Sequence, residues 1–192
     1  MRFPSPLLLC PALVAQLVLV TAASAQQPAS APGASAPAGA QGSAIALIDA
    51  DRQFVLQVAA DGMAEVELGK LALQKAASPT VKQFADRMVQ DHGKANAELK
   101  ALAASKGVAL PTSLPGTKQD DLIQMGKLSG TAFDKAYSLH MAGDHEKAVA
   151  AFDKQAQGTG DAQIKAWAAK TLPTLREHLA EARALDPGAT KK

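Results

Sequence analysis

Cysteine is nearly missing from this 192-residue sequence: the one example is Cys10, close to the N-terminus. Past that position there is no disulfide framework, no cysteine pair for zinc or redox chemistry and no thiolate nucleophile. Aromatic residues make up 4%, with a single Trp and a single Tyr. Sheets favour aromatic and β-branched residues, so this scarcity argues against an all-β fold. Charge of one sign is lacking as well. Twenty Lys and Arg stand against 18 Asp and Glu, a formal net charge of +2, which removes the electrostatic case for nucleic acid. No apolar run is long enough for a comfortable transmembrane helix of roughly 20 residues. What is present in excess is alanine, the best helix former. The length suits one domain, or two small ones.

Residues 1–25 read as an export signal. Arg2 supplies a short positive region, Leu7–Val20 is apolar apart from Pro11 and Gln16, and Ala23-Ser24-Ala25 offers the small residues a signal peptidase needs. Cleavage after Ala25 leaves 19 cations against 18 anions. Leu7-Leu8-Leu9-Cys10 loosely imitates a lipobox, but Leu9 is bulky where a small residue is wanted and the apolar run continues past the cysteine. Residues 26–44 contain only Gln, Pro, Ala, Ser and Gly. Such a stretch buries too little apolar surface to offset its ordering entropy, and it reads as a disordered tether. The expected folded domain is 45–186, with a disordered tail at 187–192, in an exported, periplasmic protein.

Within that domain, strand signals are absent and helical periodicity is nearly continuous. The first helix is expected from about Asp49–Asp51 to Ala77. Ser78-Pro79 caps and opens a second, which ends before Gly107. A Gly/Pro/Thr-rich linker over 107–130 holds a short helix near Gln119–Leu128. A third long helix runs from about Thr131 to Gln157, and Asp161 caps a fourth that reaches about Leu185. Pro173 falls inside it and removes one backbone hydrogen bond, which predicts a kink. Two tight helix pairs joined by one long connection make an all-α, ferritin-like four-helix bundle.

The chain carries an internal echo. Met88-Val89-Gln90-Asp91-His92 matches Met141-Ala142-Gly143-Asp144-His145, each with Asp three and His four residues after Met. At 100° per residue, His92, His145 and His178 fall on the apolar stripes of their helices, and Glu65 takes the same place in the first. Counted from their turns, Glu65 and His92 lie at one depth, whereas His178 is offset by roughly 7 Å. His140 is rotated away, toward a solvated face.

A carboxylate on an apolar face is costly unless paired. Either Glu65, His92, His145 and His178 form a metal-free buried network, or they hold a cation. One glutamate and three histidines suit Zn²⁺ or Cu²⁺, and the thioethers of Met88 and Met141 lean toward copper. Asp91 and Asp144 point about 100° away and are expected to support the ligands rather than bind metal. Glu-x-x-His, needed twice in a di-iron carboxylate site, does not occur. Neither does a phosphate loop, a nucleophile elbow or His-Glu-x-x-His. The sequence supports no catalytic residues, and an enzyme is not the expected reading.

Phe54, Gly62-Met63-Ala64-Glu65, Leu68-Gly69-Lys70-Leu71-Ala72 and Phe84-Ala85 carry a resemblance, together with Met88-Val89-Gln90-Asp91-His92. So do Phe133-Asp134-Lys135-Ala136-Tyr137, Met141, Asp144-His145, Thr171-Leu172-Pro173 and His178-Leu179. These segments resemble the domain-of-unknown-function 4142 family across most of 50–185. The resemblance implies an exported bacterial protein with a ferritin-like bundle, often labelled an outer-membrane protein, and its repeated Asp-His and terminal His correspond to Asp91-His92, Asp144-His145 and His178. A four-helix bundle is no transmembrane barrel. The related domain-of-unknown-function 305 group, linked to copper, carries similar Met and His helices. The expectation is therefore a non-enzymatic envelope protein that binds copper or zinc in its core. The alternative is a structural or stress-response interaction module with a metal-free polar core.

Overall fold

The computed structural model describes residues 47–185. The expected signal peptide, the tether and the 187–192 tail lie outside the described residues. Those that are described form an all-α bundle of four long helices and one short one: α1 (Asp49–Lys75), α2 (Pro79–Ser105), α3 (Gly116–Gly126), α4 (Gly130–Gln157) and α5 (Ala162–Leu185).

Local chemistry sets the helix ends. Asp49 and Asp51 place negative charge in the first turn of α1, where the helix dipole favours it. The Ser78 hydroxyl accepts the Val81 N–H at 3.4 Å, with Pro79 at the first helical position of α2. That helix stops at Gly107, whose φ of 67° admits the left-handed turn. The Val108 N–H reaches the Ala103 carbonyl and the Gly107 N–H the Ala104 carbonyl, a Schellman closure. Asp161 Oδ1 accepts the N–H groups of Gln163 and Ile164 and so caps α5. Pro173 lies inside α5, as the sequence requires. The short helix begins at Gly116, three residues before the expected start, because the Pro115 carbonyl already accepts the Gln119 N–H.

Hydrogen bonds at the two ends give the helix directions. At one end, the buried Asp51 carboxylate accepts the Gln155 amide at 2.6 Å and the Asp161 N–H at 2.7 Å. Lys106 Nζ meets Asp161 at the same level, 2.7 Å away. At the other end, Asp134 accepts the N–H groups of Ala77 and Ser78 at 3.0 and 2.9 Å. Helices α1 and α5 therefore run one way, and α2 and α4 the other. The connection from Lys106 to Ser129 climbs the whole length of the bundle, with α3 packed on α1 and α4. Each helix of one pair packs on an antiparallel helix of the other, α1 on α4 and α2 on α5.

The apolar core is divided in two. Leu68, Ala72, Phe84, Met88, Phe133, Tyr137 and Met141 fill the half nearer the α1–α2 turn. Val55, Leu99, Phe152, Ile164, Trp167 and Leu175 fill the half nearer the α4–α5 turn. Alanines and glycines on α1 let α2 approach closely; a Cβ on Gly69 would stand 2.8 Å from Val89 Cγ2 and 3.1 Å from the Ala85 carbonyl oxygen. No described helix is long and apolar enough to cross a membrane.

Candidate metal centre

Between the two apolar halves lies a polar layer in which Glu65, His92, His145 and His178 are all buried, none more than 6% exposed. One residue comes from each long helix. The three imidazoles form a nearly equilateral triangle, with ring centroids 5.5 Å apart for His92 and His145 and 5.3 Å for each other pair.

The depth count placed His178 about 7 Å out of level; the structure brings it into the triangle. The reason is the lean of helical side chains toward their own N-terminus. Because α5 runs opposite to α2 and α4, its side chains lean toward theirs, and the two leans close the gap. Residue counting along the axis omits that contribution.

Each imidazole is held from behind by one nitrogen. His92 Nδ1 donates to Glu65 Oε2 at 2.9 Å. His145 Nδ1 donates to the Met141 carbonyl oxygen at 2.9 Å; a carbonyl only accepts, so the proton sits on Nδ1 and Nε2 carries the lone pair. His178 Nε2 donates to Asp91 Oδ2 at 2.9 Å. Asp91 is itself held by Arg87 Nε at 3.2 Å, and the Arg87 guanidinium also engages Glu177 and Glu181 across the α2–α5 seam. The remaining nitrogens, His92 Nε2, His145 Nε2 and His178 Nδ1, are buried and have no hydrogen-bond partner among the described residues. An orphaned buried acceptor costs about 1–3 kcal/mol. One nitrogen from each ring falls within 4.8 Å of the others.

Electrostatics prepares the same groups. Burial would push Glu65 up, but the His92 charge and hydrogen bond, helped by His145 and Lys118, hold it down at about 2. His92 is likewise disfavoured by burial as a cation, yet Glu65 raises it above its ordinary value. Burial lowers His145, with Glu65 opposing only in part. Burial takes His178 down to about 4, against the pull of Asp91 and with the repulsion of the other two histidines. His145 and His178 are therefore neutral at neutral pH, each with a lone pair on its unpartnered nitrogen.

The sequence-derived set is thus redistributed. Glu65, expected as a fourth ligand, stands behind His92 and lies 3.9 Å from His145 Nδ1 rather than facing the three free nitrogens. Met88 and Met141 have no exposed surface and pack in one apolar half; the Met141 carbonyl accepts from His145. Asp91 supports His178. Asp144, expected in the matching role for its own helix, instead meets Lys118 at 3.5 Å, Lys147 at 3.1 Å and His140 at 3.3 Å. His140 stands apart from the triangle and is half-buried rather than fully solvated. Two contributors escaped the sequence reading. Arg87, four residues before Asp91, was legible as an i,i+4 pair. Lys118 on α3, 2.8 Å from Asp61, had no local signal.

Zinc and copper take neutral nitrogen ligands oriented by carboxylate or carbonyl partners, which His145 and His178 offer directly and which His92, raised by Glu65, would offer on releasing its second proton. A tetrahedral ion bonded at about 2.0 Å needs nitrogens roughly 3.3 Å apart, so binding would draw the rings slightly inward.

Two crystal structures share the fold. A DUF305 fragment from Deinococcus radiodurans superposes with a TM-score of 0.64 at 13% identity, covering 72% of this chain and 96% of that one. A DUF305 protein from Streptomyces coelicolor gives a TM-score of 0.60 at 14% identity, covering 71% and 91%. No curated protein matches the chain. The model of the domain of unknown function DUF4142 matches residues 36–185, and the chain belongs to that family.

Proposed function

We propose that this is an exported metal-binding protein that holds one copper or zinc ion through His92, His145 and His178, for binding or buffering rather than turnover. The observation that carries the reading is that three buried imidazoles, each with one nitrogen held and one unpartnered, bring a nitrogen apiece within 4.8 Å of one another. A purely structural network would aim these nitrogens at one another's donors or at Glu65. Here only the rear face of each ring is satisfied. Copper binds such nitrogen sets more tightly than zinc, and cellular availability decides between them. Glu65 and Asp91 are assigned to orienting the rings and holding the tautomers.

Elemental analysis of untagged protein purified from the periplasm without chelator is the test, with His92→Ala/His145→Ala as control. About one copper or zinc per chain, lost in the control, is expected. Protein that contains no metal and takes up neither ion at equimolar addition would overturn the reading and favour the metal-free interaction module.

A further inference from the structure

A metal ion needs little room, yet the histidine layer adjoins a cavity of about 660 Å³. That volume lies within the range of sites that enclose small organic ligands, roughly 300–1,000 Å³. It occupies the half of the bundle nearer the α4–α5 turn and is reached by all four long helices. His92 and His178, with the carboxylates of Glu65 and Asp91 beside them, form its inner end. Phe54, Phe152 and Trp167 form its walls, Phe54 edge-on to Phe152 at 5.1 Å and Phe152 tilted against Trp167 at 5.4 Å. Ala148 and Ala151 on α4 make the room, and exposed Gln57 and Lys147 mark the outer end between α1 and α4.

The two features fit one occupant. Three protein donors leave one position of a tetrahedral ion free, as in zinc sites that accept an exogenous ligand. His92 and His178 border the cavity, whereas His145 is not among its lining residues. His92 and His178 thus join the histidine layer to the cavity, alongside Glu65 and Asp91, which hold one nitrogen of each. Aromatic walls select a flat, apolar ring, and the metal selects a nitrogen or oxygen donor at its inner tip. The geometry points to a ternary site: a small aromatic molecule with a single donor head, an azole or a phenolate, seated in the cavity as the fourth ligand of the metal. This rests on the metal reading above and deepens it.

Trp167 is the one tryptophan of the chain, so its emission reports on the cavity. The experiment titrates 4-phenylimidazole into the full-length mature protein, zinc-loaded and metal-free, following Trp167 fluorescence while zinc per chain is measured in parallel. Saturable quenching is expected, with affinity higher by roughly tenfold or more in the zinc form. Ala148→Phe, which fills the cavity, should abolish the quenching and keep one zinc per chain; Ala151→Phe, at a more exposed position, serves if the first variant misfolds. One zinc per chain without saturable quenching overturns the ternary site and leaves the metal reading standing. Quenching of equal affinity with and without zinc overturns coordination of the guest. Failure to take up zinc overturns both readings together.

Discussion

The buried histidines make the metal-free protein sensitive to mild acid, and the size of the effect follows from His178. Its ordinary value is 6.5 and the fold holds it at about 4. Between those values the unfolded chain carries a proton on this ring that the native chain refuses, so stability falls as pH drops from 6.5 toward 4. Each unit corresponds to 1.36 kcal/mol, giving a loss on the order of 3 kcal/mol from this residue. His145 is shifted in the same direction and adds to it. His92 does not cancel the loss. Its raised value contributes stability fully present below 6.5 and lost only as pH rises through the folded value. Glu65, held at about 2, begins to add its own loss below 4.5. Urea unfolding of chelator-treated protein at pH 7, 5.5 and 4.5 should therefore show a steep decline. His178→Leu removes the titrating ring and should flatten that decline by most of its size. A wild-type stability that is level from pH 7 to 4.5, or a slope unchanged by His178→Leu, would refute the reasoning.

Outcomes are expected for five further variants. Asp91→Asn removes the charge behind His178 and should weaken metal binding by about 10–100-fold, whereas Asp144→Asn should leave it unchanged; competition with a chromophoric chelator measures both. Asp51→Ala strips the acceptor from the Asp161 N–H and the Gln155 amide and should destabilise by about 2 kcal/mol in urea unfolding, with the metal sites intact. Gly69→Ala should destabilise by about 1–3 kcal/mol, because part of the obstruction is the Ala85 backbone. Gly62→Ala should be milder in the same assay, since a movable Asn96 side chain is what its Cβ meets.

Much of this architecture was legible in advance because its punctuation is local. Ser78-Pro79, Gly107 and Asp161 act on their own neighbours within a turn, so the long helix ends could be read from residue types. The inward faces were legible too, since 100° per residue places His92, His145, His178 and Glu65 on apolar stripes without knowledge of the partner helices. Division of roles within the layer was not. Angle says which way Glu65 points, but whether it meets a metal or the back of His92 depends on reach between helices. The lean of His178 toward its partners is likewise a property of antiparallel packing. Lys118 is the extreme case: its neighbours Asp61 and Asp144 lie far away in sequence, and no periodicity announces them.

The two aspartates at the ends of the bundle make each helix pair depend on the other. Asp134, from the second helix pair, satisfies the backbone of the first pair's turn, and Asp51, from the first pair, satisfies that of the second. Neither hairpin completes its own bend. A half-chain made alone would leave those turn amides to water and its half of the polar layer uncovered. The α2–α4 crossover, docked as α3 on α1 and α4, is the covalent link that brings the two halves together. The polar layer is divided between the same halves, Glu65 and His92 on one and His145 and His178 on the other, and exists only where they meet.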